Sequence, residues 1–258
     1  MKKVPKLSQL KLSILLPVRN EGINIRLMLK ILEVILEIPH EVLIIYDNQK
    51  DETIPVIKKM RNKYPNIKPI LNTYGKGVIN AIKAGVDFAT GKYILILAVD
   101  DVGPTLAIED MVDLMDQGCE FISCTRYKFG GRRLGGSIVE AAVSKFGNSL
   151  FSFISGSSFS DSTTGFKMFQ KDIFNKISLE SKPIGWAVVF EMAVKAQAAG
   201  FKLGEVPIIS VDRLYGGKSS FRLSPWFKEY FRWFVWGFFH LLGKRSKLKI
   251  KIPATTII

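Results

Sequence analysis

Residues 91–104 read GKYILILAVDDVGP, and the fold turns on this stretch. Gly91 leads an apolar run, Tyr93 to Val99, which ends in two carboxylates, Asp100 and Asp101, and a Gly103-Pro104 loop. An unbroken apolar run between turn residues predicts a strand at the buried centre of a parallel sheet. Ligands of open α/β sheets sit just beyond the carboxyl ends of such strands. Adjacent Asp side chains there suit a divalent cation that in turn holds a diphosphate. The same two residues also suit a solvated helix N-cap.

On the N-terminal side, strand and helix signals alternate. Leu12 to Val18 reads as a buried strand, and Asn20-Glu21-Gly22 opens a helix to about residue 37. Glu41 to Asp47 is a second strand ending in a carboxylate. A helix starting at Asp51 or Thr53 runs to about Lys63, IKPILN gives a third strand, and Gly75-Lys76-Gly77 leads into a helix over 78–89. This alternation predicts a mostly parallel sheet with helices on both faces. It also brings the strand ends carrying Asn20 and Glu21, Asp47, and Asp100 and Asp101 to one edge.

On the C-terminal side, a helix runs from Pro104 to about Gln117, and the strand CEFISCTRY ends at Arg126. The basic YKFGGRRLGG (127–136) reads as a flexible loop and 138–153 as a helix. A polar turn around Asp161 precedes a short strand. GWAVVFEMAVKAQAAG reads as an amphipathic helix containing Glu191, and FKLGEVPIISVDR as one strand ending in Asp212-Arg213. The organisation expected is a basic lead-in (1–10), an α/β domain (11–222) and a C-terminal segment (223–258). In that last segment SPWFKEYFRWFVWGFFHLLG is dense in aromatics, with Lys228, Glu229 and Arg232 on one helical face, and Lys244, Arg245, Lys247, Lys249 and Lys251 follow. An aromatic face beside a basic flank suits a helix lying in a membrane interface near anionic head groups. A helix docked on the domain core, or a dimer interface, fits the same composition.

The 258 residues carry a net charge of +14, which points to an anionic partner: nucleic acid, membrane surface or phosphorylated ligand. No nucleic-acid-binding motif interleaves the basic residues with aromatics before the tail, so nucleic acid is not expected. No apolar run reaches the length that spans a bilayer, and residues 1–11 lack the apolar core of a secretion signal. The two cysteines, Cys119 and Cys124, fall on one predicted strand, pointing to opposite faces and unable to pair. A reduced, cytoplasmic setting at the inner face of a membrane is the expectation.

With these residues laid out, the chain resembles a family-2 glycosyltransferase of the GT-A fold, and within that family the dolichyl-phosphate mannose synthase-like branch. The motifs stand in order from about Ser13 to Phe221: LPVRNE, IIYDNQKDET, GKGVINAIKAGVDFATGKYILILAVDD, TRYKFGG, DSTTGFKMF and EVPIISVDRLYGGKSSF. The resemblance implies transfer of a sugar from a nucleotide-diphosphate donor, with inversion. Pro17, Val18, Asn20, Glu21, Asp47 and Lys76 would line the nucleotide. Asp100, with Asp101 nearby, would hold Mg2+ or Mn2+, a Lewis acid for the diphosphate leaving group. The chain departs from the pattern three times: Tyr46 precedes Asp47 where a second carboxylate is usual, Ala98 stands at the first Asp of D-x-D, and in the closing R-x-x-G-x-S-K (Arg213, Gly216, Gly217, Lys218, Ser219, Ser220) the cation sits slightly early. An inactive nucleotide-binding scaffold therefore also fits. Arg126, Arg132, Arg213 and Lys218 are cations able to close over phosphates, although Arg132 and Arg133 also read as solvated surface charges. A polyprenyl phosphate acceptor is already ionised and needs no general base. A sugar hydroxyl of a polysaccharide or glycolipid needs one, and Glu191 and Asp161 are the candidates.

Overall fold

A computed structural model describes residues 10–135, 137–211 and 223–252. The first half is β1 (Leu12–Val18), α1 (Gly22–Ile35), β2 (His40–Tyr46), α2 (Thr53–Met60), β3 (Ile67–Leu71), α3 (Val78–Phe88) and β4 (Tyr93–Ile96). A 3-10 turn, Gly103–Ala107, leads to α4 (Ile108–Asp116), β5 (Phe121–Thr125), β6 (Arg132–Leu134), α5 (Ile138–Ser155), β7 (Lys167–Gln170), α6 (Phe174–Ile177), α7 (Ala187–Ala198), β8 (Leu203–Pro207), β9 (Ile209–Val211), α8 (Leu223–Leu241) and β10 (Lys249–Ile250). The main sheet has the order β10-β8-β5-β7-β4-β1-β2-β3. β7 runs antiparallel to both its neighbours, β4 and β5, and the other pairings are parallel.

The alternation along β1 shows how the layers form. Ile14 and Leu16 join a core with α1 and α4 on one face. Leu15 joins a core with α3 and α7 on the other. A strand covered on both faces reads as a nearly continuous apolar run; the polar exceptions in β1 and β2 include Ser13 and Glu41, which are buried and bonded to each other, Ser13 Oγ donating to Glu41 Oε1 at 2.6 Å.

The structure corrects several expectations. β4 ends at Ile96, three residues before Val99. Residues 132–134 are not loop: they form β6, which pairs in parallel with β9 in a separate two-stranded sheet. The expected single strand over 201–213 breaks at Ile208, whose N–H donates to the Thr125 carbonyl while its own carbonyl accepts from Arg132 N. β9 thus leaves the main sheet to pair with β6. α7 is buried all round instead of amphipathic, because the sheet covers one side and α8 the other. Cys119 precedes β5 and shares one core cluster with Cys124, so the two do not occupy opposite faces; both thiols are free.

α8 docks on the domain through Trp233 and Leu241, which meet Phe151 of α5 and Phe190 and Val194 of α7. Glu229 is buried, not part of a solvated stripe: it accepts from Lys182 N at 2.9 Å and pairs with Arg232 at 3.2 Å. β10 extends the main sheet beside β8. Phe227, Phe231, Phe239 and Leu242 remain exposed. Among the described residues no helix is long and apolar enough to cross a membrane.

Candidate active site

β1, β2 and β4 are mutually parallel, and β5 shares their direction because both it and β4 oppose β7. Their carboxyl ends therefore share one edge, and the residues just beyond them are Asn20 and Glu21, Asp47, Asp100 and Asp101, and Arg126. At the first of these ends Pro17 and Val18 close β1. Asn20 then takes a left-handed φ of 56°, which turns its N–H onto Asp51 at 3.0 and 3.1 Å. Glu21 N donates to Thr53 Oγ1 at 2.9 Å, and Asp51 Oδ1 accepts from Thr53 N at 2.8 Å. One carboxylate, Asp51, therefore fixes both the start of α2 and the loop after β1.

Asp47 works in the same way. It accepts from Asn72 Nδ2 at 2.7 Å and from Gly77 N at 3.2 Å, and Asn72 also reaches the Gly75 carbonyl at 2.6 Å. The Gly75-Lys76-Gly77 loop is thus shaped from beneath while Lys76 stays exposed. Gly77 has φ 113°, and a Cβ there would lie 2.7 Å from Pro183 Cβ, so only glycine lets the two loops meet.

Asp100 and Asp101 are both partly buried. Asp101 Oδ2 accepts from Ser210 Oγ at 2.5 Å and Oδ1 from Val211 N at 2.9 Å. Burial pushes its carboxyl up to about 6, against those two hydrogen bonds, and neighbouring Asp100 adds to the rise. Both Asp101 oxygens are thus committed to β9. Among the described residues no group of three His, Cys, Asp or Glu side chains forms a cation cage. The donor set fits a cation held by one carboxylate, Asp100, and completed by diphosphate oxygens and water, as is usual for Mg2+ beside phosphates.

Arg126 is held rigidly. Its Nε and Nη2 donate to Asp161 Oδ2 and Oδ1 at 2.7 and 3.0 Å, and Nη2 also reaches Thr163 Oγ1 at 3.2 Å. Burial opposes the Asp161 charge, but Arg126 and Lys167 overcome it and hold the carboxyl below the usual range. Behind this pair lies Lys167, fully buried, donating to Ser123 Oγ at 2.6 Å and to the Ser162 carbonyl at 3.2 Å. Burial pulls the Lys167 ammonium down to about 8.

Asp161 and Glu191, the two expected bases, have no exposed surface. Asp161 accepts from Arg126 and Thr163. Glu191 accepts from Glu180 N and Ser181 N at 2.5 and 2.8 Å and pairs with Lys195 at 2.8 Å. It fixes the segment that carries Pro183 against Gly77. Arg132 is an exposed residue of β6. Arg213 and Lys218 lie outside the described residues.

Asn72, Asp51, Thr163, Lys167 and Ser210 were not foreseen as site residues. Asn72 carried a signal: it directly follows a strand at the same edge.

A fold with nucleotide-type strand ends, an Asp-bearing β4 edge and an anchored arginine defines a class, and the comparisons agree with it. Residues 13–178 match the model of glycosyl transferase family 2, so the chain belongs to that family. Dolichol-phosphate mannosyltransferase of Pyrococcus furiosus is 24% identical over 202 residues, which are 77% of this chain and 56% of that protein. The chain therefore spans little over half the length of this curated relative. Two solved structures share the GT-A fold at low identity. Mannosyltransferase PcManGT from Pyrobaculum calidifontis, in complex with GDP-Man and Mn2+, has a TM-score of 0.57 at 13% identity, covering 94% of this chain and 76% of that one. Glucosyl-3-phosphoglycerate synthase from Mycobacterium tuberculosis, in complex with Mn2+, UDP and phosphoglyceric acid, has a TM-score of 0.61 at 13% identity, covering 96% and 81%.

Proposed function

We propose that this chain transfers a sugar from a nucleotide-diphosphate sugar to a polyprenyl phosphate at a membrane surface, with inversion at the anomeric carbon. The observation that carries the choice of acceptor is the state of the two candidate bases. Asp161 and Glu191 are both buried and fully engaged, so the cleft suits an acceptor oxygen that is already ionised. A curated relative, the dolichol-phosphate mannosyltransferase of Pyrococcus furiosus, supports the same class of acceptor.

In this reading Asp47 orients the nucleotide from the end of β2, with Asn20, Glu21 and Lys76 on the flanking loops. Arg126, preorganised by Asp161, faces the phosphates. Arg213 and Lys218 supply further cations from the segment after β9. A phosphate oxygen of the acceptor attacks the anomeric carbon in line as the bond to the diphosphate breaks. Asp100 would hold a divalent cation, which as a Lewis acid stabilises the leaving diphosphate.

Attachment is peripheral, on the cytoplasmic face. α5 exposes Val139, Val143, Phe146, Leu150 and Phe153 at helical spacing, α8 exposes Phe227, Phe231 and Phe239, and Leu242 just past its end is exposed as well. Cations from Lys244 onward flank α8. Apolar stripes with a basic rim support binding to anionic lipid.

The test uses radiolabelled UDP- and GDP-sugars with Mn2+ and vesicles containing polyprenyl phosphate. Label should enter the lipid phase with the wild type and not with Asp100→Ala. Label recovered only in water-soluble glycan would assign the acceptor to a sugar hydroxyl instead.

A further inference from the structure

Asp101 adjoins the residue expected to hold the cation, yet its bonds go elsewhere. Its two oxygens grip Ser210 Oγ and Val211 N, the last two residues of β9. The adjoining turn presses on the same strand: a Cβ at Gly103 would lie 1.8 Å from the Ile209 carbonyl oxygen. On its other side β9 is paired residue for residue with β6, Arg133 opposite Ser210 and Leu134 opposite Val211. β9 is therefore held from two sides, by β6 and by the turn that follows Asp100. The chain beyond it, 212–222, contains Arg213 and Lys218.

We propose that Asp101 is a positioning residue and not a cation ligand: it clamps β9 to the Asp100 corner and so sets where the segment bearing Arg213 and Lys218 begins. The functional half of this inference rests on the transferase reading, in which those cations meet the diphosphate. Arg213 is only two residues past the clamp, so little slack separates them. A misplacement of about 1 Å at a charged catalytic group lowers rates by on the order of a hundredfold.

The substitutions separate clamp from ligand. Asp101→Asn keeps both contacts, since its amide oxygen accepts from Val211 N and its NH2 donates to Ser210 Oγ, but removes the charge a cation needs. Asp101→Ala removes both contacts, and Ser210→Ala removes one without touching the carboxylate. Two readouts are taken on the full chain: the rate of trypsin cleavage after Arg213 and Lys218, and Mn2+-dependent binding of UDP and of GDP. The clamp predicts cleavage about tenfold faster in Asp101→Ala, a smaller increase in Ser210→Ala, and Asp101→Asn close to wild type. The gain in nucleotide affinity that Mn2+ gives should stay within about threefold in every variant that remains folded, while the affinity itself falls in Asp101→Ala and is kept in Asp101→Asn, because Arg213 and Lys218 lose their place only when both contacts are lost. Unchanged cleavage in Asp101→Ala overturns the proposal, as does loss of Mn2+ dependence in Asp101→Asn with Ser210→Ala unaffected. If Asp101→Ala does not fold, Ser210→Ala decides by the same cleavage rate. A wild type that binds neither nucleotide fails the transferase reading, and the cleavage rates still decide the clamp.

Discussion

Replacing Asp161 with alanine removes the anion that holds Arg126 at the cleft. The pair is bidentate, at 2.7 and 3.0 Å, and the Asp161 side chain has no exposed surface. Removing one partner of such a pair leaves a charge poorly compensated, because Lys167 nearby is also cationic. The cost expected is about 3–5 kcal/mol. For a chain of this size about 2–4 °C of melting temperature is lost per kcal/mol, a fall of roughly 6–20 °C. Urea unfolding monitored by tryptophan fluorescence measures it directly. In the double variant Arg126→Met/Asp161→Ala the remaining Lys167 and Glu205 charges balance, so most of the loss should return. The pair also has a sign in pH. The Asp161 carboxyl is lowered in the folded state, so its contribution is present above the ordinary carboxylate range and lost as pH falls through the depressed value. Asp161→Asn should flatten that acid limb. An Asp161→Asn protein of full stability that had lost turnover alone would refute this account and restore Asp161 as a base.

Two further outcomes follow from buried charges. Burial lowers the Lys167 ammonium from 10.5 to about 8, so the unfolded chain binds the extra proton between those values and wild-type stability should rise with pH there, by up to about 1.4 kcal/mol per pH unit. Asp161, Glu205, Cys124 and Arg126 face this group, and Lys167→Met should remove the slope in urea melts at pH 8–10. Glu191→Gln turns one acceptor into a donor facing a backbone N–H of Glu180 or Ser181 and should cost about 1–3 kcal/mol. Its pH–rate profile should keep the wild-type basic and acidic limbs; a lost limb would make Glu191 a proton acceptor in the reaction.

β1 and β2 were legible because they are buried on both faces: Leu12–Val18 is bounded as its apolar run is, and His40–Tyr46 lies one residue from the run Glu41–Asp47. β4 misled because Leu97 and Val99 stay buried after the ladder ends, and burial alone does not distinguish strand from the bend that delivers Asp100. The antiparallel insertion of β7 between β4 and β5 is decided by partners some 70 and 45 residues away in sequence, beyond any local pattern. β6 and β9 are three residues each, too short for a period to appear. The site divides similarly. Residue types at strand ends marked Asp47, Asp100 and Arg126, whereas the engagement of Asp161 by Arg126 and of Glu191 by two backbone N–H groups depends on tertiary neighbours.

Most carboxylates at this edge are spent on shaping loops. Asp47 accepts from Gly77 N, Asp51 from Asn20 N and Thr53 N, and Asp101 from Val211 N. On the proposed reading, Ala98 stands where the family pattern would place a further ligand on the approach to Asp100. A cation held by Asp100 would then draw most of its oxygens from the nucleotide diphosphate, so each ligand should strengthen the other, and by the same factor. Titration of the apoprotein with Mn2+ alone should show weak binding. The presence of UDP or GDP should tighten it by about 10- to 100-fold, the usual span of coupling between two sites, and nucleotide affinity should rise equally when Mn2+ is added first. Asp100→Ala should abolish the coupling while leaving the weak, Mn2+-independent nucleotide binding that Asp47 and its loop support. Tight Mn2+ binding without nucleotide would require a second protein ligand, and the division of labour among these four carboxylates would then have to be redrawn.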